Sequence, residues 1–149
     1  MRSTLILGLG NPLQGDDGVG CRVIEALEAR ELPPDVEVLD GGTPGVGLIH
    51  LLEGRRRAIL IDAAEMGRPP GTIARFRPEE VVLTGAAGRF SLHRSAVADA
   101  LALAAALNLP LPEIVFYGVQ PGRVGWGEGL SDEVAAAIPR LVERIMAEI

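Results

Sequence analysis

The 149 residues are 48% hydrophobic and 23% charged, and they carry a formal net charge of −6 with one cysteine, two histidines and no lysine. Without lysine there is no Schiff-base amine, PLP anchor or Walker-A phosphate ligand, and one cysteine rules out an internal disulfide, a CxxC redox pair and a Cys-rich zinc site. The acidic balance opposes nucleic-acid binding, and no run approaches the roughly 20 apolar residues of a membrane span, so the expectation is a single cytoplasmic domain over residues 1–149 with neither nucleic acid nor membrane as partner.

The N-terminal MRSTLILGLGNP resembles a signal peptide only briefly, because Gly-Leu-Gly-Asn-Pro stands where a longer apolar region should continue. Leu5-Ile6-Leu7 instead reads as a short buried strand closed by Gly8. Val19, Val23, Ile24 and Leu27 recur at helical spacing, and Leu32-Pro33-Pro34 stops that helix. Val36, Val38 and Leu39 suggest a second strand ending at Asp40. Thr43 is then expected to cap, and Pro44 to begin, a short helix through Leu52. Arg55-Arg56-Arg57 reads as a solvated turn. Ala58-Ile59-Leu60-Ile61 is a continuous apolar run, as in a central strand buried on both faces, and it ends at Asp62.

Turn residues Gly67 to Gly71 separate that strand from Thr72–Phe76 with no helix between. A parallel crossover needs a dozen or more residues, so this strand is expected to run antiparallel at an edge. Ser91 to Leu107 reads as an Ala/Leu helix capped by Ser91, Ile114–Tyr117 as a strand, and Ser131 as the opening of a last helix. The pattern is that of an α/β three-layer sandwich: a mixed, mostly parallel sheet of five strands, one antiparallel, with helices on both faces. In such sheets the site lies beyond the carboxyl ends of the strands, just after Leu7, Leu39, Ile61 and Tyr117.

The segment Gly8-Leu9-Gly10-Asn11-Pro12-Leu13-Gln14-Gly15-Asp16-Asp17-Gly18-Val19-Gly20 follows the first strand. It is not a dinucleotide fingerprint: the glycine spacing is wrong, and two carboxylates stand where a pyrophosphate would sit. One acidic residue would suit the start of a helix, but two in a glycine-rich loop exceed that need. Asp62 would lie beside this loop if the first and third strands are neighbours. Two carboxylates converging in a crevice either share a proton or hold a cation. His93 begins the long helix, and two carboxylates with one imidazole would leave an open coordination position. His50 and Cys21 are assigned no chemistry: His50 lies inside an apolar helical stretch, and Cys21 reads as a small buried residue with no base near it. The turn Asp40-Gly41-Gly42-Thr43 lies at the same sheet edge and is a candidate for contacting a substrate chain.

Four blocks, GLGNPLQGDDGVG at 8–20, DGGTPG at 40–45, LIDAA at 60–64 and SLHRSAVADAL at 91–101, resemble in order and spacing the nickel–iron hydrogenase maturation endopeptidases. The resemblance runs over essentially the whole chain. It implies that Asp17, Asp62 and His93 are metal-binding and catalytic positions; the family holds Glu or Asp where Asp17 stands. It also implies removal of a C-terminal extension from a hydrogenase large-subunit precursor, with nickel supplied by the substrate and other divalent metals able to occupy the site. Asp40, Gly41, Gly42 and Thr43 match a segment linked to substrate recognition. Two alternatives stand beside this reading. The GLGNP start is also similar to peptidyl-tRNA hydrolase, and the same three ligands would serve a metal-sensing chaperone that binds the precursor without cutting it.

Overall fold

The computed structural model describes residues 2–78 and 94–149. Its strands are β1 (Thr4–Leu9), β2 (Val36–Gly42), β3 (Arg57–Ala63), β4 (Ile73–Phe76) and β5 (Glu113–Val119). The helices are α1 (Val19–Glu28), α2 (Leu48–Leu52), α3 (Arg94–Ala106) and α4 (Asp132–Glu148), with short 3-10 turns at Gly15–Gly18 and Gly45–Gly47. The sheet order is β2-β1-β3-β5-β4. β1, β2, β3 and β5 are parallel; β4 pairs antiparallel with β5 at the edge, as its missing crossover requires.

Strand side chains alternate between two apolar layers. Ile6, Ile59, Ile61 and Val115 face α1 and α4, whereas Leu5, Leu7, Leu60 and Phe116 face α2 and α3. The helical spacing read from Val19, Val23, Ile24 and Leu27 gives the buried stripe of α1. α4 contributes Val134, Ala137, Leu141, Val142 and Ile145 to the same layer. Aromatic packing is confined to few places, among them Phe76 stacked on Phe116 with ring centroids 5.4 Å apart, which fastens β4 to its neighbour.

The strands run further than their apolar runs. β1 continues through Gly8 to Leu9, β2 ends at Gly42, and Asp62 is inside β3 rather than beyond it. Gly8 does not close its strand, because it serves another purpose. A Cβ there would lie 2.5 Å from the Gly20 carbonyl oxygen and 2.7 Å from Ile24 Cγ1, so bare backbone lets α1 seat on the sheet. Gly20 faces the reciprocal constraint: its Cβ would fall 2.4 Å from the Leu9 carbonyl and 2.8 Å from that of Ile61.

Three local expectations are corrected. Pro44, not Thr43, occupies the position before the helical turn, which starts at Gly45 as 3-10 geometry with no side-chain cap. Arg55 and Arg57 are not solvated: Arg55 pairs with Glu37 at 2.7 Å and Arg57 with Glu148 at 2.5 Å, leaving Arg56 exposed. Cys21 is half-buried, since it looks along α1 toward Glu25 and not into the core. Ser131 opens α4 as expected, with its hydroxyl donating to Asp16 rather than to the helix. The expected cap Ser91 lies outside the described residues, and α3 is described from Arg94.

The end of α4 is pinned to the sheet. Glu148 accepts hydrogen bonds from Arg57, Arg75 and the Tyr117 hydroxyl. Burial alone would push its carboxyl up, but bonds from Arg75 and Tyr117 hold it below the ordinary value; burial and Glu148 push Tyr117 up to about 12.

The seating of α1 predicts the effect of one added methyl group. Gly20→Ala should lower stability by about 2 kcal/mol or more, because the clash is with backbone and no side chain can rotate away. Urea unfolding should show a lower midpoint at unchanged slope. An unchanged midpoint would mean that the helix does not approach the sheet this closely.

Candidate functional site

The first loop leaves β1 at Gly10, whose φ of +116° is open to glycine and strained for other residues. The Gly10 amide donates to the Gly42 carbonyl at 2.8 Å, and the Asn11 amide donates to Asp17 Oδ2 at 2.8 Å. Asn11 Oδ1 accepts from the Leu13 amide at 2.9 Å, tightening the turn that follows. Asp17 is therefore bonded back across its own loop and remains half-buried at the sheet's carboxyl edge.

Its neighbour Asp16 has a different task. Asp16 is fully buried. Its Oδ2 accepts from the amides of Gly122 at 2.7 Å and Arg123 at 2.8 Å and from the Ser131 hydroxyl at 2.7 Å. Oδ1 accepts from the Ser131 amide at 2.7 Å. Burial raises the pKa of this carboxyl, but the bonds from Arg123, Ser131 and Gly122 outweigh it and hold the group below its ordinary value. Asp16 is thus a fixed anion joining the first loop to the loop after β5.

Asp62 lies near the end of β3, level with Gly118 on β5, and is 1% exposed. Its Oδ1 accepts from the Ala63 amide at 2.8 Å. Because β1 and β3 are neighbours, Asp62 does reach the first loop. A Cβ on Gly10 would stand 2.1 Å from the Asp17 carbonyl oxygen and 3.3 Å from Asp62 Oδ1, so Gly10 is where the two acidic residues meet.

The Asp40–Thr43 turn borders the same loop through the Gly10–Gly42 bond. Opposite the Gly8–Leu9 step of β1, β2 carries one extra residue, Gly41, and this bulge turns the Gly42 carbonyl toward Gly10. Asp40 and Thr43 are exposed, with Asp40 Oδ1 accepting from the Gly42 amide at 3.2 Å. Burial and the adjacent Asp40 push the Cys21 thiol up to about 11, which keeps it protonated at neutral pH and unfit as a nucleophile. His50 is exposed near Glu53, away from this edge.

One residue at this edge escaped the sequence reading. Gln120, directly after β5, is buried and accepts at Oε1 from the amides of Met66 at 2.7 Å and Arg68 at 3.3 Å. Its Nε2 donates to Glu65 Oε2 at 2.9 Å, so this side chain shapes the loop that follows Asp62. Its place at a strand's carboxyl end, after an apolar run, was the available signal. His93, the third expected ligand, lies outside the described residues, and among the described residues no group of three or more His, Cys, Asp or Glu side chains could hold a metal ion.

A family model described as hydrogenase maturation protease matches residues 21–148. The chain is 39% identical over 136 residues to the hydrogenase expression/formation protein HupM of Azotobacter chroococcum, covering 90% of this chain and 65% of that protein. It is 35% identical over 147 residues to the hydrogenase 2 maturation protease of Escherichia coli K12, covering 97% and 89%. The chain spans just under two thirds of the length of the first of these relatives. Among solved structures, the hydrogenase maturating endopeptidase HybD from E. coli matches with a TM-score of 0.87 at 35% identity, covering 99% of this chain and 91% of that one. The [NiFe] hydrogenase maturation protease HybD from Thermococcus kodakarensis matches at 0.82 and 33%, covering 99% of each.

The division between the two adjacent aspartates is testable by stability alone. Asp16→Asn should cost about 3 kcal/mol at pH 7, because an amide NH2 would face backbone donors, whereas Asp17→Asn should cost about 1 kcal/mol or less. The folded-state pKa of Asp16 is lowered, so its contribution is full above the unfolded value of about 4 and is lost as pH falls through the folded value. Thermal unfolding between pH 7 and pH 2 should therefore show a shallower acid decline for Asp16→Asn than for the unmodified chain. Equal stability of the two Asn variants would remove the distinction.

Proposed function

Because this chain belongs to the hydrogenase maturation protease family, we propose that it is an endopeptidase that removes the C-terminal extension of a nickel-loaded hydrogenase large-subunit precursor. The observation that carries this reading is the meeting of Asp17 and Asp62 at Gly10, on the carboxyl edge of the sheet and beside the Asp40–Thr43 turn. Membership of the family sets aside the peptidyl-tRNA alternative.

In this reading the nickel belongs to the substrate. Asp17, Asp62 and His93 grasp it: two carboxylates and one imidazole are a donor set that suits nickel, admits other divalent metals and leaves positions for the precursor's own ligands. The metal supplies Lewis acidity, by which a scissile carbonyl is polarised or a water's pKa lowered. The chain supplies position. Asp62 is held in a strand and bonded to the next amide, and Asp17 is bonded to Asn11, so neither has far to reorganise on meeting a cation. The exposed Asp40 and Thr43 contact the precursor chain as it enters along β2.

The test is a mass measurement on purified nickel-loaded precursor mixed with this protein. Loss of a C-terminal peptide is expected, with nickel-free precursor left intact. Asp17→Asn, Asp62→Asn and His93→Ala should each slow processing about a hundredfold or more, the scale on which groups stabilising a transition state are felt. Unchanged precursor mass with the unmodified protein would overturn the endopeptidase reading and favour a metal-sensing module that binds without cutting.

A further inference from the structure

The loop between β5 and α4 carries Trp126, the one tryptophan of the chain, with 81% of its surface open to solvent. An indole left in water forgoes a large burial gain, and aromatic residues of this kind are enriched where proteins bind one another. It is not isolated. Val124 in the same loop is 55% exposed, and Leu13 in the first loop is 48% exposed. The two loops are bonded to each other: the Gly127 amide donates to the Leu13 carbonyl at 2.9 Å, the Gly15 amide to the Gly127 carbonyl at 2.8 Å, and Gln14 bridges Gly127 in parallel.

This apolar rim is held firmly. Asp16 accepts from Gly122, Arg123 and Ser131, the residues that flank the Trp126 stretch, and the Asp16 amide donates to the Arg123 carbonyl at 2.8 Å. A presented side chain on a fixed loop loses little freedom when a partner covers it. The rim also adjoins Asp17 along the chain, since Leu13 stands four residues before it in one loop.

We infer that Leu13, Val124 and Trp126 form the docking surface for the folded body of the protein substrate, gripping an apolar patch beside the segment to be cut. The inference rests on the endopeptidase reading above and names where the substrate is held. Continuity with Asp17 selects this occupant. A second copy of the chain seated on Leu13 and Trp126 would crowd the edge that carries Asp17 and Asp62, whereas a substrate seated there delivers its cleavable segment to it.

Hydroxyl-radical footprinting with a residue-by-residue mass readout tests this on the full-length protein and nickel-loaded precursor. Saturating precursor should slow oxidation of Trp126 and Leu13 about fivefold or more, and leave Leu107, exposed beyond the far end of α3, at its free rate. In the processing assay Trp126→Ala should raise KM about tenfold, with a smaller change in kcat, and Trp126→Phe should restore much of the loss. Leu107→Ser should match the unmodified protein. Trp126 oxidised at its free rate while the precursor is being cut, or an unaltered KM for Trp126→Ala, would overturn the inference. Protection that rises with the concentration of this protein alone would also overturn it and assign the patch to self-association. If the precursor is bound but never cut, the endopeptidase reading fails, and protection of Trp126 still decides the docking surface.

Discussion

Asp16 is a charged group with no access to water, and it is stable there because four donors replace its hydration. That exchange decides the geometry of the whole carboxyl edge. The donors come from residues 122, 123 and 131, so one carboxylate joins the end of β1, the end of β5 and the start of α4. The first loop is rich in glycine, which makes it costly to order. Anchoring it through a buried ion gives it one conformation, and Asp17, the next residue, inherits that fixed position. The arrangement buries one aspartate as a structural ion and keeps the adjacent one half-buried at the sheet's carboxyl edge.

A second constraint is steric. With few aromatics available, the core is filled by Val, Leu, Ile and Ala, and α1 seats directly on the sheet at Gly8 and Gly20. The same closeness operates at Gly10, where the backbone of Asp17 and the side chain of Asp62 share one space. Position at this site comes from backbone fitted to backbone, which is why the glycines of the first loop matter as much as its acids. Gln120 extends the principle to the loop after Asp62, using a buried amide to hold two backbone donors.

Much of this was legible in the sequence because it depends on short-range pattern. Continuous apolar runs located the strands, the missing crossover before Thr72 placed β4 antiparallel, and the carboxylate ending the third run marked Asp62. What escaped depends on partners far along the chain. Nothing local distinguishes Asp16 from Asp17; the donors that separate them lie more than a hundred residues away. Arg55 and Arg57 read as solvated because Glu37 and Glu148, which take them out of water, belong to other elements. Thr43 has the chemistry of a cap, yet the chain turns at Pro44 and Gly45, where backbone conformation outranks side-chain preference. Cys21 falls on a helix flank that only the course of β2 defines.

The bulge at Gly41 also bears on how the molecule keeps apart from its neighbours. An open sheet has two rims whose unpaired amides and carbonyls can recruit a foreign strand, the first step toward aggregation. One rim, β4, is only four residues long, which leaves little edge for such recruitment. The other, β2, is longer, but its register breaks at Gly41 and its last carbonyl is turned inward to Gly10. An irregularity that fits the first loop thereby also shortens the regular template that β2 offers to a foreign strand.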